Sequence, residues 1–203
     1  MPVPDRGTFE QAYSRIAPWD IGKPQKLLID VADRISGSIL DAGCGTGDNA
    51  IFFAARGNKV TGIDFLPEPI ARAKQKAEAQ GVSVTFLVMD ALALRDLPEV
   101  FDNAIDSGLF HVFDDETRQR YVAGLTSVIK PGGRLFLLCF SDAEPGELGP
   151  RRVSRQELLD AFATGWVVES IEPARFEIRP DFQEAAFSEG GPKAWFAVAR
   201  RKD

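Results

Sequence analysis

One octapeptide, Asp41-Ala42-Gly43-Cys44-Gly45-Thr46-Gly47-Asp48, limits the folds open to this chain. Its three alternate glycines let the backbone turn sharply and approach a ligand more closely than side chains would allow. An apolar stretch at 38–42 precedes it and a helical stretch begins at 48, so the loop joins a strand to a helix. In an open α/β sheet that junction lies at the carboxyl edge, where ligands bind. A dinucleotide loop places its third glycine later, as G-x-G-x-x-G, to admit a pyrophosphate to the helix N-terminus. Here Asp48 holds that position. A close backbone approach flanked by carboxylates suits a ligand carrying positive charge.

The rest of the chain repeats the alternation. Apolar or β-branched segments at 38–42, 59–64, 82–90, 101–106 and 134–140 read as strands. Segments 48–56, 67–80 and 115–128 between them read as helices. This pattern predicts an α/β fold, a doubly wound, Rossmann-like, mostly parallel sheet in three αβα layers. Pro67 suits a first helical turn and Gly81 a stop. On the third helix Tyr121, Leu125 and Val128 mark the inner face, and Arg118 and Arg120 are expected to face solvent. A short helix with Ser154 as its cap and two strands at 166–172 and 193–200 follow.

Two more acids extend the glycine loop. Asp64 ends the second predicted strand, about twenty residues beyond the glycines, where a carboxylate can accept both hydroxyls of a ribose. Asp90 ends the third and can accept a hydrogen bond from an exocyclic amine. The 203 residues favour one domain. Its net charge of −6 and pI near 5.0 lack the broad basic footprint of a nucleic-acid binder. Two cysteines make no disulfide framework, and nothing near the N-terminus forms a signal-peptide core. Apolar runs such as 135–140 fall far short of the roughly 20 residues of a membrane span. The expectation is a cytoplasmic protein with a small-molecule partner and neither nucleic acid nor membrane as target.

Leu40 to Gly47, with Asp64 and Asp90 following, resembles the class I S-adenosylmethionine-dependent methyltransferases. Lys130-Pro131-Gly132-Gly133 before a strand, and the final strand, are further marks of that family. The resemblance implies a seven-stranded sheet whose last strand is antiparallel and inserted beside the fifth. It also implies S-adenosylmethionine as cofactor and S-adenosylhomocysteine as product. Gly43 and Gly45 would then approach the methionine moiety, Asp64 the ribose and Asp90 the adenine amine, with Trp19, Asp41, Cys44, Phe65, Ala91 and Asp106 completing the cofactor-binding set.

Pro18-Trp19-Asp20-Ile21-Gly22-Lys23-Pro24-Gln25 is similar to a segment of thiopurine and halide/thiol methyltransferases. Together with Asp106-Ser107-Gly108-Leu109-Phe110-His111 it looks closest to the bacterial heterocyclic toxin methyltransferases, which methylate hydroxyl, sulfur or nitrogen of small, mostly aromatic compounds. On this reading 1–203 is one methyltransferase domain: a lid at 1–24, a cofactor core at 25–140, and C-terminal strands with a substrate-lining segment at 141–203. Tyr13, Phe176 and Phe182 are the expected acceptor contacts. His111, the sole histidine, is the candidate catalytic residue, as a general base or, on the favoured reading, as a positioning group. Trp19 either covers the cofactor or anchors the N-terminal arm, Cys44 also reads as a small filler beside the turn, and no metal is implied.

Four competing readings have discriminators. Nucleic-acid amino methylases carry prolines and an aromatic where this chain has Asp106-Ser107-Gly108-Leu109. A methylase of a protein or other macromolecule would want an added recognition domain. A nicotinamide-dependent oxidoreductase needs room for a pyrophosphate, which Asp48 disfavours. A non-catalytic cofactor sensor would have less use for the aromatics Phe9, Tyr13, Phe176, Phe182 and Phe187 near the two ends.

Overall fold

The computed structural model describes residues 6–180 and 187–203. Seven strands form one sheet: β1 (Ser38–Ala42), β2 (Lys59–Asp64), β3 (Thr85–Val88), β4 (Phe101–Ser107), β5 (Ile129–Phe140), β6 (Trp166–Arg175) and β7 (Lys193–Arg201). Their spatial order is β3-β2-β1-β4-β5-β7-β6. The first five pair in parallel, while β7 runs antiparallel between β5 and β6. This is the seven-stranded, doubly wound sheet implied by the resemblance, with its last strand inserted beside the fifth.

Among the described residues six α-helices flank it: α1 (Arg6–Tyr13), α2 (Lys26–Asp30), α3 (Asp48–Ala55), α4 (Pro67–Ala79), α5 (Asp115–Val128) and α6 (Arg155–Ala161). Side chains of a strand alternate between its two faces, so each central strand feeds two cores. Leu40, Ala104, Leu135 and Leu137 meet Tyr121 and Leu125 of α5 on one face. Ile39, Ile105, Phe136 and Leu138 meet Phe53 of α3 and Ile70 and Ala73 of α4 on the other. Each such buried side chain contributes on the order of 2 kcal/mol, and the apolar runs 39–40 of β1 and 135–140 of β5 need both faces covered.

Several boundaries differ from expectation. The third strand stops at Val88 because Asp90 turns to cap a short 3₁₀ segment, Ala91–Asp96, accepting a bond from Leu92 N at 2.8 Å. It starts only at Thr85 because Val82 N is bonded to Ala77 O at the end of α4. The Lys130–Gly133 turn lies within β5 as an irregularity: Phe101 pairs with Ile129 and Asn103 with Arg134, with Gly132 at φ +77°. Ser154 caps α6 through a reciprocal box with Glu157. Arg118 is the clearest correction. It is only 2% exposed, lies 4.5 Å over the Phe110 ring and reaches Glu157 at 3.2 Å. Its long stem crosses the apolar face before its charge finds a partner on α6.

Candidate functional site

The site is built on the carboxyl edge of the sheet, around the loop from β1 to α3. Gly43, Gly45 and Gly47 all have positive φ, at 71°, 52° and 83°. Space is limiting as well. A β-carbon on Gly43 would lie 3.0 Å from Leu109 Cβ, and one on Gly45 would lie 2.9 Å from the Tyr13 hydroxyl. The loop therefore runs between Leu109, from the segment after β4, and Tyr13, from α1. Cys44 N donates to Ile63 O at 2.8 Å, which pins the loop to β2. The Cys44 side chain is 9% exposed and lies against Gly62, and burial pushes its thiol up.

The acids divide by environment. Asp41 is buried, and its Oδ2 has no hydrogen-bond partner among the described residues. Burial and the nearby Asp106 charge push its carboxyl up to about 8. Asp64 stands at the end of β2, accepting from Gly45 N at 3.1 Å and Leu66 N at 3.0 Å, and burial raises its carboxyl too. Asp90 is exposed at the edge, one oxygen capping the Ala91–Asp96 segment, whose Ala91 is buried. Asp106 is fully buried. Its Oδ1 accepts from Leu109 N and Phe110 N, and its Oδ2 accepts from the Tyr121 hydroxyl at 2.9 Å. Those bonds shape the turn after β4. Asp48, the charge expected to stand against a diphosphate, is paired with Lys76 at 2.9 Å.

The N-terminal arm packs over the β2 side of the loop. Phe9 of α1 meets Phe65 edge-on at 5.5 Å, and Arg72 of α4 donates to Tyr13 O at 2.9 Å. Trp19 donates to the Tyr13 hydroxyl at 3.1 Å and remains 43% exposed. A polar clasp holds the arm to the glycine loop: Thr46 Oγ1 donates to Asp20 at 2.9 Å and accepts from Lys76 Nζ at 2.7 Å. Tyr13 and Trp19 thus share one cluster with the loop, Phe65 and Asp64. Lys76 and Leu109 complete it, although neither is marked by spacing or composition.

A second cluster sits beyond β4. His111 lies in the 3₁₀ turn Phe110–Val112 and is 6% exposed. Its ring meets Phe140 at 5.2 Å and Phe176 at 5.8 Å, both edge-on, and Phe187 meets Phe140 at 5.7 Å. Phe140 N donates to His111 Nδ1 at 3.1 Å. Burial, with Arg118 and Arg152 nearby, lowers the imidazole to about 3. Arg152 lies 5.2 Å over Phe140 and donates to the carbonyls of Glu144, Leu148 and Pro150, gathering the segment 144–150. Arg152 thus organises that segment. Glu144 is buried and accepts from Ser188 N and Lys193 N. Phe182 lies outside the described residues.

The turn from Asp106 to His111 joins the two clusters, since Leu109 touches Gly43 while His111 faces Phe176. The chain ends join them again. Gln25 and Glu177 exchange two hydrogen bonds, and Arg179 N donates to Pro18 O at 3.0 Å. The first cluster fits S-adenosylmethionine. Side-chain-free glycines permit a close backbone approach, Asp64 ends β2, Asp90 lies two residues past the neighbouring β3, and Asp41 holds an unpartnered buried oxygen at the start of the loop.

Comparison with known proteins agrees with this geometry. A family model described as a methyltransferase domain matches residues 39–133. The chain is 34% identical over 191 residues to 2-heptyl-1-hydroxyquinolin-4(1H)-one methyltransferase of Mycobacteroides abscessus, covering 92% of this chain and 82% of that protein. It is 29% identical over 157 residues to probable thiol methyltransferase 2 of Arabidopsis thaliana, covering 74% and 69%. A solved structure described as converting a disulfide bond into a thioacetal group during echinomycin biosynthesis superposes with a TM-score of 0.85. It shares 32% identity and covers 98% of this chain and 93% of that one. No described helix is long and apolar enough to cross a membrane. With this fold, this loop and these relatives, the chain belongs to the class I S-adenosylmethionine-dependent methyltransferases.

Proposed function

We propose that this enzyme methylates a hydroxyl, thiol or ring nitrogen of a small, flat, aromatic acceptor. The observation that carries the reading is the aromatic wall of His111, Phe140, Phe176 and Phe187, one short turn away from the glycine loop. A cluster of aromatic rings at this edge has the chemistry to receive a planar, apolar molecule. The named acceptors of the relatives, a hydroxyquinolone and thiols, are small molecules of fitting chemistry.

Gly43 and Gly45 would hold the methionine end of the cofactor, Asp64 the ribose and Asp90 the adenine amine, with Phe65 and Ala91 flanking the adenosine. When bound, S-adenosylmethionine supplies a methyl group on a positively charged sulfur. The protein's task is alignment, because a displacement held in line and at close range gains most of its rate from lost translational freedom. Asp106 holds the Leu109–Phe110 turn that sets the distance between the clusters. On this reading the described part of the arm, with Tyr13 and Trp19 in it, closes over the cofactor, and Phe176 in the C-terminal segment lines the acceptor.

A turnover screen of phenols, hydroxyquinolones, thiols and iodide, read as released S-adenosylhomocysteine, tests the proposal. Methylation of the aromatic hydroxyls or thiols is the expected result. Turnover confined to a protein or nucleic acid would overturn it.

A further inference from the structure

The imidazole of His111 has only one way to be arranged. Phe140 N–H donates to Nδ1 at 3.1 Å, so Nδ1 must present a lone pair, and the neutral ring carries its hydrogen on Nε2. Among the described residues Nε2 has no hydrogen-bond partner, and it is not one of the fully buried, unpartnered side-chain atoms. It lies beside Gly108, where an added β-carbon would stand 3.7 Å from Nε2 and 3.8 Å from the Phe176 ring. Among the described residues the charged groups facing the ring are Arg118 from α5 and Arg152 from the segment before α6, and both are cations.

The nearby acids are committed elsewhere. Asp106 uses both oxygens on backbone and Tyr121 donors, and Glu144 uses both on Ser188 N and Lys193 N. The Tyr13 phenol is raised above its ordinary range by burial, so it is no proton acceptor at neutral pH. Among the described residues the acceptor side therefore offers a hydrogen-bond donor in a positive surround and no available base.

We infer that the acceptors of this enzyme are molecules whose hydroxyl or thiol is acidic enough to ionise in water, and that His111 Nε2–H binds the resulting anion. This rests on the small aromatic acceptor proposed above and narrows it to one chemical class. The proton balance closes without a protein base. The acceptor's O–H or S–H gives its proton to solvent before binding. The anion's lone pair then forms the bond to the methyl carbon, and the carbon–sulfur pair stays on sulfur, yielding the methylated acceptor and a neutral thioether. Burial and the two guanidiniums act together here, holding the imidazole neutral with a depressed affinity for a second proton.

As His111 is the one histidine of the chain, its ring gives a single pair of nitrogen signals in a ¹⁵N-labelled sample. The expected spectrum shows hydrogen on Nε2 and no titration between about pH 5.5 and 9, spanning the ordinary histidine value. Adding 4-nitrothiophenolate with S-adenosylhomocysteine should shift the Nε2–H signal, and its S-methyl ether should not. This readout needs no turnover, so it stands apart from the acceptor screen. With substituted thiophenols as substrates, kcat/KM should rise tenfold per pH unit up to each thiol's own pKa and then level off. His111→Gln, which keeps an N–H donor, should retain most of this rate. His111→Leu should lose roughly 10- to 100-fold, the size of one hydrogen bond to a charged group. A ring that titrates near neutrality, hydrogen on Nδ1, a signal indifferent to the anion, or a rate break fixed at one pH for every thiol would each overturn the inference.

Discussion

Gln25 and Glu177 grip each other like two strands of a short ladder: Gln25 Nε2 donates to Glu177 O at 2.9 Å, and Glu177 N donates to Gln25 Oε1 at 3.0 Å. Glu177 also accepts from Lys26 N at 2.9 Å. Residues 152 positions apart thus tie the N-terminal arm, which clasps the glycine loop, to the segment that follows Phe176. Gln25→Ala removes two hydrogen bonds worth about 2 kcal/mol together. We expect the Kd for S-adenosylhomocysteine to rise up to about 30-fold by titration calorimetry, and the KM for the acceptor to rise with it. A change in only one of the two constants would show that the ends act independently.

Gly45→Ala asks for a β-carbon at φ +52° and 2.9 Å from the Tyr13 hydroxyl. The variant should lose about 1 kcal/mol or more of stability and bind S-adenosylhomocysteine at least tenfold more weakly, as the arm is pushed off the loop. Gly57→Ala is the control, because its φ is +89° but no atom lies near the added carbon. It should lower the melting temperature and leave the Kd unchanged.

The buried acids and His111 pull stability in opposite directions with pH. The folded carboxyls of Asp41 and Asp106 sit at about 8 and 6, above their unfolded values near 4. The folded state therefore holds more protons than the unfolded chain above pH ~4, and this stability is lost as pH rises to about 8. His111, lowered to about 3, stays neutral when folded, so its contribution is lost as pH falls below about 6.5. The two trends offset each other in mild acid, and the Asp41 decline stands clear between about pH 6.5 and 8. The melting temperature of the cofactor-free enzyme should fall across that window, and Asp41→Asn should flatten it.

Arg118 crosses an apolar face to reach Glu157, which Arg151 also contacts. Arg118→Met keeps the stem and deletes the charge. Since Glu157 retains a second cation, the loss should be about 2 kcal/mol, below that of a buried carboxylate left wholly unpaired. Chemical denaturation would measure it. An unchanged midpoint would mean that the ion pair adds nothing over an apolar filler.

What was readable beforehand follows from backbone demands. Gly43, Gly45 and Gly47 need positive φ and open space, so their spacing alone located the loop. Asp64 was readable because it is the last residue of a β-branched strand and lies about twenty residues beyond the glycines. Arg118 was not, since its helical position says nothing of Phe110 and of Glu157, 39 residues away, which receive it. Lys76 and Leu109 carry no local mark either, because their partners belong to other elements. The same holds for His111. Its place after β4 was legible, but the direction of its hydrogen depends on the amide of Phe140 in another strand.

The placement of β5 has a wider consequence. It has β4 on one side and β7 on the other, with β1, β2 and β3 beyond β4. The loop and its acids come from residues 38–107, whereas the aromatic wall, apart from His111, comes from residues after 139. On the proposed assignment, a duplicated copy of this chain could acquire a new acceptor by drift in its C-terminal third while its methyl-donating half stays intact. Chemistry and selectivity are separately heritable in such a scaffold, except at the turn from Asp106 to His111 and at the Gln25–Glu177 tie, where a single substitution would touch both.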